Sequence, residues 1–377
     1  MAVTRLIDLA DAAACPRVVV KIGSALLVGK DGQPRRDWLA GMAGEIAAMH
    51  ARGQDVVVVS SGAIALGAAR LGLDKGGRGS LPDAQAAASV GQIALAGLWS
   101  ELLGAHGITA AQMLLTLEDL EDRRRYLNAS STIARLLAAG AVPVVNENDS
   151  VATEEIRFGD NDRLAARVAQ AAMADAVLLL SDVDGLYDRH PSQDGAQLLP
   201  EVHGITPQVR AMATGFSSSG MGSGGMVSKL QAAEIAERAG IALAILNGTH
   251  DRPISRALDR GVGTVFLPRR RDRARKAWLG GRLRLKGTLV VDEGCVKALR
   301  EGKSLLAAGI TVVEGKFERG DAVAVCDASG MVVAQGLAEY STGECQALTG
   351  RRNSEQAEIL GYAPRPAVIH RDHMVLL

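Results

Sequence analysis

The sequence predicts an α/β protein built on a mostly parallel sheet sandwiched by helices, followed by a small, mainly β domain. Three features carry that prediction. Short apolar runs rich in valine and leucine, without polar alternation, suit strands covered on both faces. Longer segments with alanine and leucine at helical spacing separate them, and the alternation of the two over about 265 residues is the pattern of βαβ units. Near Pro268 that pattern stops, and short strands with turn signals replace it.

In chain order, strands are expected at 18–22, 56–59, 141–145, 176–180 and 241–246. Helices are expected at 38–52, 83–106, 123–139, 160–174 and 226–239, several of them closed by a glycine. Beyond Pro268, turns at Glu314-Gly315, Arg319-Gly320-Asp321 and Ala328-Ser329-Gly330 frame strands near 321–326 and 331–335. The expected division is a large first domain, residues 1–270, a basic linker, 271–283, and a small β domain with its tail, 284–377.

Composition narrows the function classes. The chain has 377 residues, enough for two domains with a large core, and its 42 basic and 42 acidic residues cancel. Whole-chain charge therefore argues for neither a nucleic-acid nor an anionic-membrane partner. Cys15, Cys295, Cys326 and Cys345 are scattered, with no Cys-x-x-Cys pair, which suits free thiols in a reducing cytoplasm. Residues 1–14 lack the basic flank and apolar core of a secretory signal and read as a dispensable extension. Apolar runs such as 176–180 fall far short of the roughly 20 residues of a membrane span, so a soluble, cytoplasmic protein without membrane contact is expected.

The chemistry concentrates at expected strand ends. Lys21-Ile22-Gly23-Ser24 puts a lysine, a glycine and a hydroxyl where the first strand turns, and Ser60-Ser61-Gly62-Ala63 repeats a small-residue turn before a helix. Free backbone N–H groups in such turns suit an anion. Asn146-Glu147-Asn148-Asp149 and Gly159-Asp160-Asn161-Asp162 gather amides and carboxylates beyond the 141–145 strand, on the edge where open α/β sheets bind ligands. The tract from Ser217 to Lys229 is a glycine and serine run leading into a helix. It fits no Walker A loop, and its Gly220, Gly222 and Gly225 spacing follows no strand, so a dinucleotide fingerprint fails. Ser181-Asp182-Val183-Asp184-Gly185 follows the 176–180 strand; a calcium loop is excluded because Pro191 stands where its glutamate is needed. The set suits phosphoryl transfer, which needs positioning and positive charge rather than covalent help. Lys21 and Lys229 would flank the phosphoryl group, magnesium would bridge nucleotide phosphates, and Asp160 and Asp162 would organise the cations.

Taken in order, Val19 to Ser24, Ser60 to Ile64, Asn146 to Asp149, Gly159 to Asp162 and Gly222 to Lys229 resemble the glutamate 5-kinases, and Val291 to Gly294, Lys303 to Leu306 and Gly309-Ile310 resemble their C-terminal PUA domain. The resemblance implies an amino-acid-kinase fold and ATP-dependent phosphorylation of the side-chain carboxylate of L-glutamate, the first step of proline biosynthesis, with Mg2+ and with feedback inhibition by proline. It implies that Lys21 and Lys229 stabilise the transferring group while Asp162 holds both. Ser61, Asp149 and Asn161 would bind glutamate, Asp149 facing the ammonium and Asn161 a carboxylate. Lys21, Ser181, Asp182, Ser223, Gly224, Gly225, Met226, Val227, Ser228 and Lys229 would contact the nucleotide; no residue is assigned to a metal. A homodimer or tetramer is implied, with a glutamyl phosphate reductase as partner for the labile acyl phosphate.

Two other readings compete. The same fold serves other acceptors, such as N-acetylglutamate, aspartate or a nucleoside monophosphate; Asp149 argues for a free ammonium, which an acetylated amine lacks. In a different class, the stretch 269–286 carries nine basic residues against one acidic and would suit RNA phosphates in an RNA-binding PUA protein. An exposed, solvated linker is the favoured account of it, given the zero net charge of the chain and a single aromatic residue, Trp278, among these charges rather than an interleaved series for base stacking.

Overall fold

The computed structural model describes residues 2–29, 31–151, 160–214, 225–269, 285–351 and 353–377. Two compact units are present, Met1–Arg271 and Asp272–Leu377, each with its own sheet and apolar core.

The first unit holds eight strands: β1 (Arg17–Ile22), β2 (Asp55–Ser60), β3 (Ala110–Leu115), β4 (Val142–Glu147), β5 (Ala176–Ser181), β6 (Glu201–His203), β7 (Ala242–Asn247) and β8 (Thr264–Leu267). They lie in the order β3-β4-β2-β1-β5-β7-β8-β6, and every pairing is parallel except β7 with β8. The five expected strands appear as β1, β2, β4, β5 and β7. β3, β6 and β8 were not expected from the sequence. β3 lies at the sheet's edge, only partly buried, and its Ala-Ala-Gln-Met-Leu-Leu carries no β-branched residue, while β6 and β8 are short.

Alternation along the strands assigns a face to every residue. Val18, Val20 and Ile22 of β1 join Val56, Val58, Leu178 and Leu180 in a core against Leu39, Met42 and Ile46 of the helix Arg36–Ala51 and Leu95 and Trp99 of the helix Leu81–Gly104. Val19, Lys21, Val57, Val59 and Leu179 take the opposite face, where the helix Asp160–Ala172 packs and buries Leu164, Ala165 and Val168 completely. Lys21 is thus committed to the side of the sheet that carries Asp162.

At 24 residues, Leu81–Gly104 is long and apolar enough to cross a membrane by length and composition. It is a core helix nonetheless: Ala87, Leu95, Trp99 and Leu103 are buried, and the Trp99 Nε1–H donates to Ser60 Oγ at 3.0 Å. Its backbone touches that of the helix Ala63–Leu71. A Cβ on Gly91 would stand 1.7 Å from the Ala63 carbonyl oxygen, and one on Gly67 1.8 Å from that of Ala87.

Residues 2–14 are not a loose extension. Leu6–Ala10 forms a turn of 3-10 helix that packs on the helix Pro253–Arg260, and Val3, Leu9 and Ala14 are buried. The Gln54 side-chain amide, itself buried, donates to the carbonyls of Leu9 at 3.0 Å and Cys15 at 2.8 Å, tying the segment down at both ends. Leu9→Ala is expected to cost about 2–5 kcal/mol in urea unfolding of the full chain, the range for a buried leucine; a loss under about 0.5 kcal/mol would return the segment to a dispensable role.

The second unit pairs β9 (Gly287–Val291), β10 (Ile310–Gly315), β11 (Ala322–Cys326), β12 (Val332–Leu337) and β13 (Met374–Leu376) in the order β10-β9-β11-β12-β13. The chain's last residues are a strand on β12 rather than a tail. Phe317, Tyr340 and Leu348 fill its core, and the buried Glu339 takes Arg319 Nε at 3.1 Å.

Candidate active site

A helix that leads into a parallel strand runs against the strand direction, so its N-terminus emerges at the sheet's carboxyl edge. Asp160–Ala172 leads into β5 and Met226–Arg238 into β7, and the two helices pack together. Their first turns carry Asn161 and Asp162 on one and Ser228 and Lys229 on the other, beside the ends of β1, β2, β4 and β5.

Asp162 is fully buried between two lysines. Lys21 Nζ stands 2.5 Å from its Oδ1, and Lys229 Nζ donates to Oδ2 at 3.3 Å. Both lysines are themselves less than a tenth exposed. Burial alone would raise the Asp162 pKa, but the two lysine charges outweigh it and hold the carboxyl below its ordinary value. One carboxylate between two ammonium groups leaves a net positive charge in a low-dielectric site, aimed at the sheet edge.

The depressed pKa fixes a pH dependence. Because the folded value lies below the unfolded one, this ion pair's contribution to stability is fully present above about pH 4 and is lost as the pH falls through the folded value. The stability gap between the native chain and Asp162→Asn is expected to stay constant from pH 8 to 5 in urea titrations and to close only in stronger acid. A gap already closing at pH 6 would contradict the depression.

Beside this centre lies a chain of amides. Asn161 Nδ2 donates to Ser61 Oγ at 2.6 Å and to Asn146 Oδ1 at 3.3 Å, and Asn146 Nδ2 donates to Gln92 Oε1 at 2.9 Å. Asn161 Oδ1 is buried and has no hydrogen-bond partner among the described residues. Where the resemblance set Asn161 against a carboxylate, the atom it presents is an acceptor, suited to an ammonium. Ser61 precedes Gly62, whose φ of 109° only glycine adopts readily and which turns the chain from β2 into the helix Ala63–Leu71. Asp149, nearly buried, begins the turn after β4. Burial lowers the Arg78 pKa, opposed by the charge of Asp149, so a guanidinium shares Asp149's surroundings. Neither Arg78 nor Gln92 carried a signal in the sequence, since both sit in segments without motif spacing.

At the neighbouring strand end, Ser181 closes β5, buried, with its hydroxyl donating to Asp182 Oδ1 at 3.1 Å. Gly225 caps the helix Met226–Arg238, whose first turn begins at this edge; within it the Ser228 N–H donates to the Gly225 carbonyl at 3.0 Å. Ser223, Gly224 and the side chain of Asp160 lie outside the described residues. Asp184, of the acidic segment that follows β5, receives Asn247 Nδ2 at 2.8 Å and the Tyr187 hydroxyl at 3.2 Å. Among the described residues no three acidic, histidine or cysteine side chains converge as a metal cage, and both oxygens of Asp162 face lysines.

The model of the amino acid kinase family matches residues 16–247, and that of the PUA domain matches residues 287–360. Among curated relatives, a glutamate 5-kinase of Novosphingobium aromaticivorans is 67% identical over 377 residues, all of this chain and all of that one. Those of Sphingopyxis alaskensis and Zymomonas mobilis are 60% and 56% identical, over 97% and 96% of this chain and 98% and 92% of theirs. With full-length identity at this level, the chain belongs to the glutamate 5-kinases of the amino acid kinase family that carry a C-terminal PUA domain.

Proposed function

We propose that the chain transfers the γ-phosphoryl group of ATP to the side-chain carboxylate of L-glutamate, yielding L-glutamyl 5-phosphate and ADP at the head of proline biosynthesis. The observation that carries the mechanism is the pair of lysines held on one buried aspartate. A carboxylate oxygen of the substrate forms a bond to Pγ, the bond from Pγ to the β,γ-bridging oxygen breaks, and ADP leaves with that electron pair. No general base is needed, because the nucleophile is already an anion. Lys21 and Lys229 balance the charge on the equatorial and leaving oxygens, where fixed charge in a dry site is most effective. Asp162 keeps both ammonium groups oriented without neutralising them.

Asp149 and Asn161 take the substrate ammonium, and Ser61 with the turn at Gly62 receives a carboxylate. Ser181, Asp182 and the N-terminal turn of Met226–Arg238 would hold Mg2+-bound ATP, and Ser223 and Gly224, by the family resemblance, would contact the nucleotide as well. We further propose a cytoplasmic homodimer or tetramer, inhibited by proline at the glutamate site, that passes its labile product to a glutamyl phosphate reductase.

An ATP-dependent hydroxamate assay tests the reading by trapping the acyl phosphate with hydroxylamine. Turnover of L-glutamate, and little of N-acetylglutamate or aspartate, is the expected result. Preference for another acid would keep the phosphoryl-transfer centre and overturn the roles of Asp149 and Asn161. No turnover by folded protein supplied with magnesium would overturn the kinase reading.

A further inference from the structure

We infer that Gln92 is a positioning residue for recognition of the substrate's amino group: through Asn146 it sets the Asn161 amide so that its oxygen, rather than its nitrogen, faces the ligand. The inference rests on the glutamate reading above. An asparagine or glutamine amide has one acceptor end and one donor end, so in a chain of amides the orientation of the first dictates that of the last. Gln92 presents Oε1 to Asn146 at 2.9 Å, which commits Asn146 Nδ2 and turns Asn146 Oδ1 toward Asn161. Asn161 meets that oxygen with Nδ2 at 3.3 Å and uses the same group on Ser61 Oγ at 2.6 Å. What remains is Asn161 Oδ1, buried and unpartnered among the described residues.

A buried acceptor without a donor is costly in the empty protein, and an ammonium group relieves that cost. If all three amides were turned over, the buried atom would be an N–H donor, which an ammonium group repels and a carboxylate accepts. The polarity of the chain therefore selects the charge read at this position, and Gln92 stands at its far end.

The fold holds Gln92 in place. It follows Gly91, where the backbones of Leu81–Gly104 and Ala63–Leu71 touch, so the spacing of its helix from that neighbour is set by contact with no side chain between. Its other side borders a cavity of about 280 Å³ that also touches Trp99 and Val144. There is room for a changed side chain at this position.

Two variants and two ligands test the inference. Gln92→Leu keeps the volume and removes the acceptor; Gln92→Glu keeps an acceptor and so the polarity. L-Glutamate is compared with glutarate, which has both carboxylates but no ammonium, as a substrate or, where turnover is slow, as a competitive inhibitor. Gln92→Leu is expected to raise the KM for L-glutamate about tenfold, the scale of one charge-assisted hydrogen bond, with kcat little changed and glutarate binding unaffected. Gln92→Glu should retain the native preference for L-glutamate over glutarate. The inference is overturned if Gln92→Leu weakens both ligands in proportion, if it leaves the KM for L-glutamate unchanged, or if Gln92→Glu loses the preference. Should the leucine variant not fold, the glutamate variant decides alone. A native chain that does not turn over L-glutamate at all is a separate failure, that of the function itself.

Discussion

Asp162→Ala is expected to lower kcat by at least about a thousandfold and to destabilise the chain by about 3–5 kcal/mol. Both effects have one cause. Asp162 is fully buried and faces Lys21 at 2.5 Å and Lys229 at 3.3 Å; without it, two buried ammonium groups repel each other with no counter-charge. The lysines would then move apart toward solvent, and the positive field on the phosphoryl group is lost. Urea unfolding and hydroxamate turnover measure the two effects on the same samples. A variant that is destabilised yet turns over within tenfold of the native chain would make the ion pair structural and remove it from the mechanism.

Lys229→Ala is expected to lower kcat by about a hundredfold to a thousandfold, by analogy with removal of one electrostatic stabiliser, while changing the KM for glutamate little. Stability should behave differently here. Deleting one lysine leaves Lys21 and Asp162 as a one-to-one pair with no net charge, so the variant should be nearly as stable as the native chain, in contrast to Asp162→Ala. That opposition separates a catalytic charge from a packing contribution. A marked loss of stability in Lys229→Ala with intact kcat would reverse the assignment. Lys21→Ala should mirror it in kcat, with a larger effect on stability because Lys21 makes the shorter contact.

Much of this site was legible before folding because its residues belong to local signals. Lys21 stands at the end of a run of valines, and Ser61 precedes a glycine that opens a helix; in both, backbone conformation and residue type are set within a few positions. Asn161 and Asp162 start a helix, where acidic and amide side chains favour the free N–H groups. Elements without such a signal escaped: the edge strand β3 lacks β-branched residues, and Leu6–Ala10 became core only because the helix Pro253–Arg260 arrives some 240 residues later to cover it.

By itself, then, the sequence determined the alternation of strand and helix, the change of architecture after Pro268, and the presence of phosphate-binding turns with two lysines and an Asx-rich cluster. These are short-range properties, written in periodicity, caps and turn residues. Only the tertiary structure decided which face of β1 carries Lys21, that Asp162 lies between that lysine and Lys229, and that Gln92 reaches Asn146 across 54 positions. Such pairings depend on the order of strands in the sheet and on a backbone contact at Gly67 and Gly91, and no local stretch of chain contains that information.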